Sequence, residues 1–355
     1  MSHNAVRPVI VPLGGFLGAG KTSLILAAAR TLEQNGIKSA AILNDQGTEL
    51  VDTRWVQSQG IQADQVVGGC FCCLFSDLID AAERLLAQAP EVIFAEAVGS
   101  CTDISATTLQ PLKLYHKDRF RVAPYTVLVD PARAFELNSK NPDFAFLFNN
   151  QLEEADLVCF TKSDLYTEFP ELQAASVRHL SSVSGGGVKA WLDEVLAGSI
   201  QTGMKILEID YQRYAQAEAR LAWLNCGVSL TVHTPLTPSA VVGPLLDALD
   251  ESLTAENLQI AHIKVSDDTS NGFLKASITR NGDAPALQGD LQASQAHLHE
   301  LLLNIRAAGE PAHLQFLVER CLSKLPGRHQ VNSMQCFKPS APKPEYRLSE
   351  VITNE

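Results

Sequence analysis

Residues 15–22 read GFLGAGKT, a complete G-x-x-x-x-G-K-[ST], set where the apolar run Val9 to Leu13 gives way to an amphipathic stretch beginning at Lys21. A strand has to deliver such a loop and a helix has to receive it. Gly15, Gly18 and Gly20 let the backbone turn its N–H groups inward around a β-phosphate, at the positive end of the following helix. Lys21 is placed to reach β- and γ-phosphate oxygens and Thr22 to coordinate Mg²⁺, with Ala19 and Ser23 completing the phosphate-contacting run.

Further apolar segments recur between helical patterns: Ser39 to Leu43, Val92 to Ala95, Thr126 to Val129 and Leu157 to Phe160. Strands buried on both faces have this texture. Lys21 to Gln34, ended by Asn35-Gly36, and Asp77 to Ala89, ended by Pro90, read as amphipathic helices. The alternation predicts an α/β domain: a P-loop NTPase with a doubly wound, mostly parallel sheet. It continues through a helical Val188 to Leu196 and stops near Gly198 to Gly203, so the first domain is expected over 1–200. Residues 204–338 read as a smaller α+β domain, with strands at Ala219 to Thr231, Gln259 to Val265, Phe273 to Arg280 and Leu298 to Ala307. Its helices are expected at Pro238 to Leu253 and Pro311 to Lys324. Residues 339–355, with Pro339, Pro342 and Pro344, read as an extended tail.

Two later segments point to the base. TKSD at 161–164 follows a predicted strand and is a variant of the N-K-x-D signature of GTPases, with Thr161 in place of Asn. Asp164 would accept both N–H groups on the Watson–Crick edge of guanine while the Lys162 stem covers the base face; ATP offers no such pair of donors. SSVSGGGV at 181–188 reads as the second guanine loop, Ser182 or its backbone meeting O6, or else as a plain Ser/Gly linker. Glu96, at the carboxyl end of a strand, is a candidate Mg²⁺ carboxylate, and Gly99 would offer its N–H to the γ-phosphate. Asp45, in the loop NDQG, is a candidate for the Mg²⁺ or nucleophilic-water shell, although turn chemistry alone would also place an Asn-Asp pair there.

GGCFCC at 68–73 places Cys70, Cys72 and Cys73 within four positions. Three soft donors so close suit Zn²⁺, with Co²⁺ or Fe²⁺ as alternatives, and leave one tetrahedral position open. A redox-active thiol pair and ordinary buried cysteines are the competing readings. Adjacent Cys72 and Cys73 are not expected to reach one ion together. Cys101, just after EAVG, would complete the site or else sit at a helix start beside an N-capping Asp103. His297 and His299 read as solvated surface.

Net charge is −12 and no basic stripe is present, which argues against nucleic acid as a partner. No apolar run reaches the roughly 18 residues of a spanning helix, so no membrane partner and a cytoplasmic location are expected. The eight cysteines are then thiols rather than disulfides.

GFLGAGKT, NDQG, GGCFCC, EAVG and TKSD in this order resemble the CobW-type GTPases, a family of metallochaperones, over about residues 8–198. The segment EAVGSCTD followed by PL is similar to a branch that includes nitrile hydratase activators and proteins near cobalamin-dependent methyl transfer. The resemblance implies slow hydrolysis of GTP to GDP, coupled to delivery of a thiophilic metal to a client metalloprotein or cobalamin-related enzyme. Thr22 and Glu96 would then serve Mg²⁺ and, with Lys21 and Asp45, catalysis. Where many relatives read N-E-F-G-E, this chain has Asn44, Asp45, Gln46, Gly47 and Thr48, so an accessory carboxylate is missing. No long His-rich segment suggests metal storage. A nucleotide-binding metal sensor or buffer with negligible turnover, and a P-loop ATPase or kinase, are the alternative functions.

Overall fold

Every residue of the first strand, Val9–Gly14, is buried, as a strand covered on both faces must be. This computed structural model describes residues 7–172 and 177–353. In chain order its first elements are β1 (Val9–Gly14), α1 (Lys21–Gln34), β2 (Ser39–Asp45), α2 (Val51–Ser58), β3 (Gln62–Val67), α3 (Phe75–Leu86) and β4 (Val92–Glu96). A π-helical turn, Ser105–Leu109, runs into α4 (Gln110–Tyr115), followed by β5 (Arg121–Val122), β6 (Thr126–Val129), α5 (Pro131–Lys140), α6 (Pro142–Glu154), β7 (Leu157–Phe160), β8 (Val177–His179), α7 (Val188–Leu196) and α8 (Tyr211–Glu218). The remainder is β9 (Leu221–Leu236), α9 (Pro238–Ala255), β10 (Ile260–Thr269), β11 (Gly272–Ile278), β12 (Ala286–Gly289), β13 (Ala296–Ala308), α10 (Pro311–Leu322) and β14 (Arg328–Phe337).

The chain forms two compact units, and it crosses between them more than once. The first holds residues up to Gln46, Gln59–Ala217, and the stretch from Ala341 onward; the second holds Gly47–Ser58 and Glu218–Ser340. The packing units are therefore not contiguous in sequence as the expected division near 200 has them, and the extended stretch from Ala341 packs with the first unit. Asn354 and Glu355, within that tail, lie outside the described residues.

In the first unit the sheet order is β3-β2-β4-β1-β6-β7-β8, with β5 pairing to β1. All of these pairings are parallel. Parallel strands put their carboxyl ends on one edge, so the loops after β1, β2, β4 and β7 gather there. The first of these loops needs glycine at its start. Gly15 has φ +126°, and a Cβ on it would stand 2.3 Å from the Leu128 carbonyl oxygen.

The second unit is an antiparallel sheet ordered β12-β11-β10-β13-β9-β14. Alternation sends Leu224, Cys226, Val228, Ile263, Val265, Leu303 and Ile305 into a core with Val242, Leu246 and Leu249 of α9 and Leu314, Leu317 and Val318 of α10. α2 belongs to this unit too. The Val51 amide donates to Asn304 Oδ1 at 2.9 Å, Trp55 stacks on Phe273, and Asp52 receives both Lys264 and Lys275. Burial, which would raise the Asp52 carboxyl, is outweighed by the two ammonium groups, which hold it below the carboxylate range.

One reading needs correction. His299 is fully buried rather than solvated: its Nδ1 lies 2.7 Å from Asp267 Oδ2, at the end of the helix-covered face. β14 was not expected, because RHQVNSMQCF has little apolar alternation; it forms as an edge strand on β9. Among the described residues no helix is long and apolar enough to cross a membrane.

Candidate functional site

The phosphate loop occupies the edge at the end of β1. Gly18 and Gly20 have φ of +82° and +91°, and Gly20 directly precedes α1 without a side-chain cap, so the loop runs into the positive end of the helix, where an anion is favoured. Lys21 folds back so that Nζ donates to the Gly15 carbonyl at 2.9 Å. Thr22 donates to Glu96 Oε2 at 2.8 Å. The proposed Mg²⁺ hydroxyl and carboxylate are thus in direct contact. Ala19 is buried, Ser23 half-buried on the first turn of α1, and Asp45 half-buried at the end of β2. Gly99 lies close against this loop: a Cβ there would come within 3.0 Å of the Leu17 amide.

The base-binding candidates meet beside it. Thr161 donates its hydroxyl to the Ala19 carbonyl at 2.8 Å, tying TKSD to the phosphate loop. Lys162 has φ +55° and pairs with Asp130 at 2.6 Å, and Asp130 in turn caps α5 through the Ala132 amide. The Ser163 amide donates to the Leu180 carbonyl at 3.1 Å, which brings the 181–188 loop alongside. Ser182 is half-buried there, and Asp164 is exposed.

Cys70, Cys72 and Cys73 all point to one centre. Their sulfurs are separated by 2.6 Å (70 to 72), 3.4 Å (70 to 73) and 3.6 Å (72 to 73). The expectation that neighbours 72 and 73 would diverge does not hold, because the Cys73 and Leu74 amides both donate to the Cys70 carbonyl and coil the segment into a turn. Metal–sulfur bonds of about 2.3 Å put the edge of a tetrahedral thiolate site near 3.8 Å, so two separations already suit an ion and Cys70 and Cys72 must open by about 1 Å. Cys101 is buried and acts on the thiols of both Cys70 and Cys72, while the sulfurs that all lie within 4.8 Å of one another are those of Cys70, Cys72 and Cys73. Bonds from Cys101, Cys72 and Cys73 hold the Cys70 thiol well below its usual range against burial. The same sharing, foremost with Cys101, pushes Cys72 up, and the bond with Cys70 pushes Cys73 to about 11.

Some positioning groups carried no signal in the sequence. Buried Asn44 accepts from the Phe71 amide at 2.9 Å and donates to the carbonyls of Val66 and Gly69, fastening the cysteine turn to the end of β2. Gln151 on α6 donates to the carbonyls of Gly99 and Cys101. Asp103 does not cap a helix; with φ +64° it accepts from Tyr211 and Arg347, while Glu154 accepts the Ser105 amide in its place. Each contact joins residues remote in sequence, so spacing could not reveal it.

The family model for the CobW/HypB/UreG nucleotide-binding domain matches residues 8–185. The zinc chaperone YjiA of Escherichia coli (strain K12) is 29% identical over 181 residues, which cover 49% of this chain and 55% of YjiA. The chain thus spans about half the length of that curated relative. Solved structures that resemble it include HypB from Helicobacter pylori in complex with nickel (18% identity, 54% of this chain and 86% of that one, TM-score 0.42). Another is the Zn(II)-bound YjiA GTPase from E. coli (16% identity, 90% and 99% covered, TM-score 0.38). On the match across residues 8–185, half of its length, the chain belongs to the CobW/HypB/UreG nucleotide-binding family.

Proposed function

We propose that this protein is a GTP-hydrolysing metallochaperone that holds a thiophilic divalent cation, Zn²⁺ foremost, on Cys70, Cys72, Cys73 and Cys101 and passes it to a client metalloprotein. One observation carries the reading. β4 ends at Glu96, in contact with Thr22 of the phosphate loop, and five residues later the chain reaches buried Cys101, which acts on the thiol of Cys70. Gly99, between them, is where a γ-phosphate would meet an N–H, and Asn44, beside Asp45, holds the cysteine turn. A change at the γ-phosphate therefore has two short routes to the sulfurs.

The donor chemistry fits both ligands. Glycines with positive φ and an uncapped α1 suit a triphosphate, and exposed Asp164 suits the guanine edge. Thr22 and Glu96 would hold Mg²⁺, which neutralises charge on the β- and γ-oxygens. Clustered thiols suit Zn²⁺ or Co²⁺, and the relative named a zinc chaperone accords with a metal cargo.

Titration of the purified protein with Co²⁺, read by its thiolate and d–d absorption, tests the proposal. One equivalent should bind tetrahedrally, with an affinity that differs between the GDP and GTP forms. Replacing Cys70, Cys72 and Cys73 together by Ser should abolish the spectrum, and Cys101→Ser should shift it. Metal binding that survives the triple replacement, or ignores the nucleotide, defeats the reading, as would preference for ATP over GTP in direct competition.

A further inference from the structure

The stretch after Pro342 lies across the thiol site as a series of anchored contacts. The Lys343 amide donates to Cys73 Sγ at 3.1 Å, and the Glu345 amide donates to the Cys72 carbonyl at 2.9 Å. Glu345 Oε2 accepts both the amide and the hydroxyl of Ser76, in the first turn of α3, where a carboxylate also complements the helix dipole. Tyr346 packs its ring at 5.4 Å from both Phe75 and Tyr115. Arg347 then pairs with buried Asp103 at 2.8 Å, and the Leu348 and Ile352 amides donate to Ala106 and Gln110. The contacts run from the cysteine turn to the segment that follows Cys101, so the tail joins the two pieces of chain that supply the sulfurs.

We propose that residues 343–352 are a retention strap, which closes the thiol site over its cargo and must lift from Cys73 before the metal is exchanged. Three observations support it. Cys73 is the half-buried member of the cluster while Cys70, Cys72 and Cys101 are buried, so exchange by an incoming ligand begins at Cys73. The Lys343 N–H occupies that sulfur, and hydrogen bonds to a ligating sulfur withdraw charge from it and fix its direction. Lys343 and Glu345 are exposed, and Tyr346 and the Arg347 side chain keep 40% and 33% of their surface in solvent, so the strap lies at the surface and can leave without opening the core.

This inference rests on the thiols being a metal site, and the experiment separates the two. The unsubstituted chain, Glu345→Ala/Arg347→Ala, and Lys343→Pro are compared. The last deletes a single N–H between two prolines, where extended backbone suits a third. Zinc transfer to a chromophoric chelator, and alkylation of Cys73 by iodoacetamide in the metal-free protein, are followed with sites mapped by mass spectrometry. Both rates should rise at least about tenfold in the double variant, and less in Lys343→Pro, in keeping with the number of hydrogen bonds removed. Wild-type protein that takes up no zinc would sink the metal reading itself. Zinc-loaded variants that release at the wild-type rate would sink the strap alone, even where alkylation is faster.

Discussion

The hydroxyl of Thr161 donates to the main-chain carbonyl of Ala19 at 2.8 Å, joining the TKSD segment to the phosphate loop. The position where an Asn is usual in this signature is therefore filled by a shorter side chain that makes a tether of its own. Thr161→Val removes the tether and keeps the shape. Affinity for a fluorescent GDP analogue should fall roughly 5- to 10-fold, the scale of one buried hydrogen bond. An unchanged Kd would show that the contact positions nothing.

Thr22 and Glu96 touch at 2.8 Å, so each is expected to fail in the same way. Thr22→Val and Glu96→Gln should each lower GTP hydrolysis roughly 100-fold, the scale of losing one charge-stabilising contact. GDP binding in the absence of Mg²⁺ should change little. Loss of GDP binding without Mg²⁺ would instead assign the pair to holding the loop together.

Asp52 joins α2 to Lys264 and Lys275 with a side chain only 15% exposed. Asp52→Ala takes a carboxylate partner from two largely buried ammonium groups and should cost about 2–4 kcal/mol in denaturant unfolding. The loss should be largest at neutral pH and shrink in acid, where Asp52 is protonated in the unfolded chain and its depressed folded value no longer adds stability. A loss below about 0.5 kcal/mol would place the pair with weak surface ion pairs.

Glu154 is pushed up to about 8, chiefly by burial, while accepting from Thr102 and Ser105. Between the unfolded value near 4.5 and about 8 the folded chain binds a proton that the unfolded chain has lost. Its contribution is therefore full below about pH 4.5 and disappears as pH rises through about 8. Glu154→Gln removes the proton while keeping one acceptor. Thermal unfolding from pH 5 to 8.5 should be less pH-dependent in the variant, by an amount of order a few kcal/mol across the window. Parallel slopes would show that Glu154 is ionised in the fold.

What the sequence determined by itself was chemistry carried by contiguous residues. GFLGAGKT, EAVG, TKSD and GGCFCC are each candidate motifs of contiguous residues, and the alternation of buried strands with helices is likewise local, so the α/β sheet was legible, as was α1 to its last residue. Tertiary structure alone decided which of these pieces touch. β1 and β2 both flank β4, so the loop after β4, which carries Cys101, opens beside the turn that Asn44 secures. Residues 47–58 and 341–353 follow the same logic. Their few apolar side chains are too sparse to declare a partner, and each is placed by ion pairs and main-chain hydrogen bonds to residues up to a few hundred positions away: Asp52 to Lys264 and Lys275, Lys343 to Cys73. Such bonds depend on where the folded backbone delivers an amide or a charge, which no local spacing encodes.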